Sequence, residues 1–179
     1  VMSEPAPVRH ARAADLRRIA DVEASGGVLF EEAYGDLTGD PLLAEPPSGG
    51  ERLDRPGFLL VVGPVGEPVG FAHVEVVDGS PLLAQLSVRP EVGRRGLGTA
   101  LVRAAVREVW WEGFDTLSLT TYRDLAWNGP FYRRLGFVEV ERPAPHLQRI
   151  RDHERAIGLD RHGTRVVMQV AVRRQVTDG

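Results

Sequence analysis

The pattern of apolar and polar positions divides the chain into a helical opening, three consecutive extended runs, and then alternating helical and extended segments. Val8–Ala11 reads as a short extended segment. From Ala13–Asp15 onward, Leu16, Ile19, Ala20 and Val22 return at helical spacing, and Gly26–Gly27 ends that helix. Val28–Tyr34 predicts a second short helix. Gly35–Arg55 is rich in Gly, Pro, Asp and Glu without periodicity and reads as a long loop, a feature that usually serves function inside a compact domain. Phe58–Val62, Val69–Val77 and Leu82–Val88 are apolar, β-branched runs. Turn residues at Gly63–Pro68 and Asp78–Pro81 join them as hairpins.

After Arg89–Arg95 the period becomes helical: Leu97, Leu101, Ala104, Ala105 and Val109 form one face of a helix over Gly96–Trp111. Phe114–Thr121 predicts a strand, Ala126–Leu135 a helix, Phe137–Glu141 a strand, His146–Ile157 a helix and Arg165–Val172 a closing strand. No repeat and no second core is visible. The order predicts one α/β domain over residues 6–173, with a mixed, mostly antiparallel central sheet flanked by helices.

Composition narrows the function classes. With 42% hydrophobic and 26% charged residues the chain is an ordinary globular sequence. A net charge of −3 supplies no global field for nucleic acid or an anionic membrane, so neither is expected as a partner. There is no cysteine, which excludes disulfides, thiolate nucleophiles and Cys-based metal sites and fits a reducing, cytoplasmic setting. No apolar run reaches the ~18–20 residues of a membrane span, and Val1–His10 lacks a signal-peptide core. No metal is expected: His146 and His153, seven apart beside Glu154, read as a solvated face.

The first chemical signal is Val88-Arg89-Pro90-Glu91-Val92-Gly93-Arg94-Arg95-Gly96-Leu97-Gly98-Thr99, a strand end, a glycine-rich turn and a helix start. Glycine lets the backbone approach a ligand without a Cβ in the way. The free N–H groups of the turn and first helical residues, with the helix dipole, suit a pyrophosphate, and Arg94 and Arg95 can screen further phosphate charge. The spacing is Gly-x-x-Gly-x-Gly, neither the dinucleotide fingerprint nor a P-loop, so a nucleotide-binding protein is disfavoured. An ordinary strand–helix turn would show the same residues, and a second motif decides between the readings.

That motif is Trp127-Asn128-Gly129-Pro130-Phe131-Tyr132-Arg133-Arg134-Leu135-Gly136-Phe137. With the turn at Arg94–Thr99, it makes the chain resemble the Gcn5-related N-acetyltransferase (GNAT) superfamily over roughly Val8 to Val172. The Trp-Asn-x-Pro-Phe-Tyr form is most similar to bacterial members. Family turns usually place Gln or Arg at the position of Gly93 and Gly at that of Arg94. Because backbone N–H groups hold most of the pyrophosphate, the resemblance tolerates this swap.

The resemblance implies an acyl-CoA N-acyltransferase fold with acetyl-CoA as co-substrate. Arg94, Arg95, Gly96, Leu97, Gly98 and Thr99 bind its phosphates. The backbones of Leu86 and Val88 hold its pantetheine arm, or else these are sheet core. Asn128 contacts the cofactor or caps its helix, and Tyr132 either contacts the cofactor as the proton donor to the leaving thiolate or only packs its helix.

The implied reaction moves an acetyl group to a primary amine of a small molecule or peptide, by direct transfer in a ternary complex. The amine must first lose a proton, since an alkylammonium has a pKa of about 10. The developing oxyanion needs a donor, for which the N–H of Val88 or a neighbour is the candidate. Many relatives carry Glu where this chain has Gln85, which cannot accept a proton at neutral pH. Glu75, or His73 two residues before it on the same face, is the substitute base, or both are surface residues. Asp124 reads as a cap or an acceptor-site anion. Glu31, Glu32, Asp36, Asp40 and Glu45 read equally as an acidic acceptor rim or as solubilising charge. One alternative stands beside the enzyme: a non-catalytic acyl-CoA-binding or sensing module, which the missing strand carboxylate favours. The resemblance also admits a homodimer, since dimers are common in this family.

Overall fold

A computed structural model of the protein describes residues 7–172; Ala6 and Arg173, the ends of the expected domain, lie outside the described residues. The elements in order are β1 (Arg9–His10), α1 (Ile19–Ser25), α2 (Gly27–Tyr34), α3 (Gly49–Leu53), β2 (Gly57–Val62), β3 (Gly70–Val77), β4 (Ser80–Val88), α4 (Leu97–Trp111), β5 (Thr116–Tyr122), α5 (Gly129–Arg134), β6 (Val138–Glu139), α6 (Pro145–Ala156) and β7 (Arg165–Ala171). The strands lie in the order β1-β2-β3-β4-β5-β7-β6. Their pairs are antiparallel except β4 with β5, which run parallel with Leu82 opposite Ser118. The expected mixed, mostly antiparallel α/β sheet is the observed one.

The chain forms two compact units. The first runs to Glu75 and resumes over Leu83–Ala105. Its core joins Ile19 and Val22 of α1 to Leu59, Val61 and Phe71 on β2 and β3, with Ala11 and Leu16 packed against them. Asp15 anchors the chain entry: it accepts from the Arg9 guanidinium and from the N–H groups of Arg12 and Gly66. The Arg9 hydrogen bond outweighs burial and holds its carboxyl well below the usual range. The stretch expected to be a featureless loop contains a 3₁₀ turn at Pro41–Leu43 and all of α3. Ser48 and Glu51 form a reciprocal capping box on α3, the Ser-x-x-Glu signature that periodicity alone passes over.

The second unit comprises Val76–Leu82 and the chain from Val106 onward. Asp78 and Gly79, both at positive φ, make the tight turn between β3 and β4. Buried Leu117, Leu119, Phe137, Leu147 and Met168 supply its core. Helix α5 starts at Gly129, three residues later than the apolar pattern predicts. The chain first forms a turn closed by the Asn128 N–H donating to the Leu125 carbonyl. Helix α6 buries charge rather than hydrocarbon on its C-terminal half. Glu154 accepts from Thr120 Oγ1 at 2.5 Å, Arg151 at 2.6 Å and Arg165 at 3.0 Å, while Arg151 also grips Asp160 with two 2.9 Å bonds. Burial raises the Glu154 pKa, but the bonds from Arg165, Thr120 and Arg151 outweigh it and keep the carboxylate ionised.

Candidate active site

Strand β4 changes character along its length. Pro81–Leu83 are buried, whereas Ala84–Val88 are half-buried on both faces. Leu86 and Val88 are therefore not closed core. Gly70 permits close strand approach here, since a Cβ on it would stand 3.1 Å from the Ser87 carbonyl and from Val88. Gln85 donates to Ser87 Oγ at 2.9 Å, a neutral pair where a base would need a carboxylate.

Beyond β4, Pro90–Val92 form one 3₁₀ turn, and the Ala100 N–H then donates to the Gly96 carbonyl at 2.9 Å to open α4. Between these bonds the N–H groups of Arg94, Arg95, Gly96, Leu97, Gly98 and Thr99 have no backbone acceptor among the described residues. The run feeds a 15-residue helix, whose open N–H groups and the positive end of its dipole suit an anion. Gly96 sits at φ +77°, and a Cβ there would meet no atom within 4 Å, leaving its surface open to a ligand. Arg94 adopts φ +60°, the left-handed conformation a glycine takes without strain. Gly93, by contrast, has φ −60°. The glycine that relatives place at position 94 thus has a conformational reason, and this chain holds an arginine there at a cost.

Between α1, α3 and β3 lies a buried polar cluster. Arg52 of α3 is 6% exposed and forms an ion pair with Glu23 of α1. His73 on β3 is 1% exposed, and both its ring nitrogens meet Arg52. Burial and the Arg52 charge depress the His73 pKa, so it is a neutral strut rather than an available base. Glu75 is mostly buried, 2.9 Å from the Arg55 guanidinium and 3.7 Å from His73 Nδ1. His73 and Glu75 share a face as their spacing predicts, and the Glu75 carboxylate is held by the Arg55 guanidinium. Burial raises the pKa of Glu23 against the opposing pull of Arg52. The acidic residues of the N-terminal segment divide in two. Asp36 accepts from Thr38 and Asp40 from the Leu42 N–H within their own turns, while Glu31, Glu32 and Glu45 are exposed.

In the second unit, Asn128 occupies the cap position of α5 without capping it. Its Oδ1 instead accepts from Thr121 Oγ1 at 2.7 Å. Gly129 lets α5 begin against the end of β5: a Cβ on it would lie 2.2 Å from the Arg123 carbonyl oxygen. Asp124 is exposed and does not cap the helix. Tyr132 is 9% exposed, its ring set edgewise between Phe131 and Phe137 with centroids 5.1 and 5.5 Å away. Its hydroxyl makes no hydrogen bond among the described residues, and burial raises its pKa above the ordinary value despite a nearby Arg165. The phenol stays protonated at neutral pH.

Arg52, Glu23 and Thr121 escape motif reading. The capping box would have placed Arg52 on a helix, but Thr121 carries no local signature.

The chain resembles known proteins in sequence and in fold. Residues 55–139 match the family model described as an acetyltransferase (GNAT) domain. Over 92 residues the chain is 35% identical to the mycothiol acetyltransferase of Arthrobacter sp. (strain FB24), covering 48% of this chain and 28% of that protein. The chain thus spans less than a third of that relative's length. Among solved structures, the PaiA N-acetyltransferase from Thermoplasma acidophilum in complex with coenzyme A shares the fold at a TM-score of 0.71 and 15% identity, over 95% of this chain and 99% of that one. The N-acetylglutamate synthase from Neisseria gonorrhoeae, complexed with coenzyme A and N-acetyl-glutamate, does so at 0.67 and 17%, over 97% of this chain and 37% of that one. Over residues 55–139 the chain resembles the GNAT acetyltransferases, and its fold is the one these solved acetyltransferases share.

Proposed function

We propose that the protein is an N-acetyltransferase, one domain over residues 6–173, that takes its acetyl group from acetyl-CoA and transfers it directly to a primary amine in a cytoplasmic setting. The observation that carries this reading is the run of six unpaired N–H groups from Arg94 to Thr99, opening α4 beside a glycine at positive φ. That cradle fits a pyrophosphate, and two proteins of the same fold are complexed with coenzyme A. In this reading Arg94, Arg95, Gly96, Leu97, Gly98 and Thr99 hold the phosphates. The backbones of Leu86 and Val88 hold the pantetheine arm, and Asn128 adds a side-chain contact.

The thioester supplies an activated acyl group. A C–N bond forms and the C–S bond breaks with release of the thiolate; the nitrogen sheds one proton as the tetrahedral intermediate collapses and one beforehand, when the ammonium becomes the attacking amine. Glu75 is the base assigned to that proton, because Gln85 is neutral and His73 has both nitrogens engaged. Tyr132 is assigned the role of donor to the thiolate. With a phenol pKa above about 10 and a thiol near about 8.5, full proton transfer to sulfur runs uphill, so the hydroxyl acts by hydrogen bonding.

The neutral Gln85–Ser87 pair favours a second reading, an acyl-CoA-binding module without turnover. One experiment separates them. Acetyl-CoA should raise the melting temperature in both cases, by about 2.7 kcal/mol of linkage at 100 times Kd. Thiol release with a panel of small amines and peptides should occur only for the enzyme. The absence of any thermal shift at millimolar acetyl-CoA would overturn both.

A further inference from the structure

We propose that Arg55 is a specificity-determining residue that keeps the acceptor's place: its guanidinium sits on the Glu75 carboxylate, and the ammonium group of the acceptor displaces it. The proposal rests on the reading of Glu75 as the base. Arg55 NH1 donates to Glu75 Oε1 at 2.9 Å, a single bond rather than a paired fork, and the Arg55 side chain is 59% exposed. Glu75 itself is 15% exposed, and its Oε2 has no partner among the described residues. Arg52 also acts on this carboxylate electrostatically, but it differs in kind. Arg52 is buried and tied to Glu23 and His73, whereas Arg55 follows α3 on the connection to β2 with its head group in water.

A guanidinium donates hydrogen bonds and accepts none, so Arg55 occupies Oε1 without being able to pass a proton on. The open Oε2 gives an arriving ammonium its first contact. Two cations on one carboxylate repel, and the weakly held one leaves. An exposed ion pair contributes little, so Arg55 goes readily into water. Arg52 stays, because its departure would strand the partly buried Glu23 charge. The exchange conserves charge: one cation arrives as another departs, and the mostly buried Glu75 is never left uncompensated. Only a cationic acceptor can make this exchange. The amine therefore enters as an ammonium; one N–H bond then breaks and one O–H bond forms on Glu75.

The test uses the full chain and the fastest acceptor among n-butylamine, benzylamine, spermidine and alaninamide. In Arg55→Gln and Arg55→Ala the amine KM should fall about two- to fivefold, the range set by one exposed ion pair that no longer competes. KM for acetyl-CoA should stay within about twofold. Arg55→Lys restores a cation and should return the amine KM to near the wild-type value, an order that packing alone would not produce. Ethylguanidinium copies the Arg55 head group. It should inhibit Arg55→Ala competitively against the amine, with an inhibition constant at least about threefold below that for wild type. An amine KM unchanged or raised in both Arg55→Gln and Arg55→Ala overturns the proposal while the acetyltransferase reading stands. Turnover in Glu75→Gln equal to wild type overturns it too, since nothing is then exchanged at that carboxylate. Wild-type protein that releases no thiol with any amine of the panel overturns the transferase reading for primary amines, and this proposal with it.

Discussion

Arg52 holds His73 at both ends of its ring: NH1 donates to Nδ1 at 3.3 Å, and the Arg52 backbone carbonyl accepts from Nε2 at 3.2 Å. A guanidinium only donates and a carbonyl only accepts, so the imidazole is neutral with its hydrogen on Nε2. Protonation would abolish the acceptor at Nδ1 and set a second cation against Arg52. Glu75, 3.7 Å away, pulls in the opposite direction and is outweighed by burial and Arg52. A buried ion pair on α1, a histidine on β3 and a short capped helix thus form one interlocked group.

The first prediction follows from linkage. Folded His73 binds a proton more weakly than the unfolded chain, so the unfolded state holds more protons between the two pKa values and stability rises with pH across that window. The contribution is complete above the ordinary value of about 6.5 and declines as the pH falls below it. Denaturant midpoints from pH 7 to pH 5 should therefore fall more steeply for wild type than for His73→Gln. Glu23, raised by burial, is present in both proteins and contributes with the opposite sign. Equal slopes would exclude His73 from the linkage.

The second prediction contrasts two turn residues. Arg94 at φ +60° carries a left-handed penalty of roughly 1–2 kcal/mol, and glycine there gives back about 0.4–1 kcal/mol through the unfolded chain. Arg94→Gly should therefore stabilise the protein by about 0.5–1 kcal/mol in urea denaturation. Coenzyme A affinity should change less than about threefold, because the N–H groups rather than the guanidinium hold the phosphates. A larger loss would assign a direct role to the Arg94 side chain.

Gly96→Ala should behave in the reverse way. At φ +77° alanine is strained by about 1 kcal/mol, yet its Cβ meets no protein atom within 4 Å, so the folding cost stops there. A ligand phosphate would meet the methyl directly, and coenzyme A affinity should fall at least about tenfold when measured well below the melting temperature. Gly129→Ala differs in kind. Its Cβ would lie 2.2 Å from the Arg123 carbonyl oxygen and 3.0 Å from that of Tyr122, both fixed backbone. It should lose roughly 3 kcal/mol or more of stability, read from the same denaturation curves.

The sheet and its helices were readable because burial imposes a period. Phe71, Leu101 and Leu119 each fall where one apolar face demands it. Glycine roles were readable in part: Gly96 as a turn was visible, whereas the crowding at Gly129 depends on where β5 ends. The polar groups were least accessible. Thr121 meets Asn128 across seven residues, and Arg52 meets His73 across 21. Neither distance follows a local period. The face that carries Glu154 reads as solvated because a buried charge and an exposed one have the same sequence; only packing against Thr120, Arg151 and Arg165 separates them.

The last prediction concerns Tyr132→Phe in protein with a working acceptor. The ring is held edgewise between Phe131 and Phe137, and its hydroxyl makes no hydrogen bond among the described residues. Removing the oxygen should leave stability unchanged or slightly raised, since no partner is orphaned and a buried polar atom is lost. Coenzyme A affinity should also hold. If the hydroxyl stabilises the departing thiolate, kcat should fall by roughly a hundredfold, the low end for this kind of assistance, because a thiolate is already a fair leaving group. A fall in kcat at constant coenzyme A Kd marks loss of transition-state stabilisation rather than of binding. The pH profile gives an independent reading. A phenol raised by burial loses its proton only in strongly alkaline solution, so wild-type kcat should show no alkaline decline from Tyr132 below about pH 10. Unchanged turnover in Tyr132→Phe, with the chemical step shown to limit the rate, would reduce Tyr132 to a packing residue and leave the phosphate cradle as the remaining support for the enzyme.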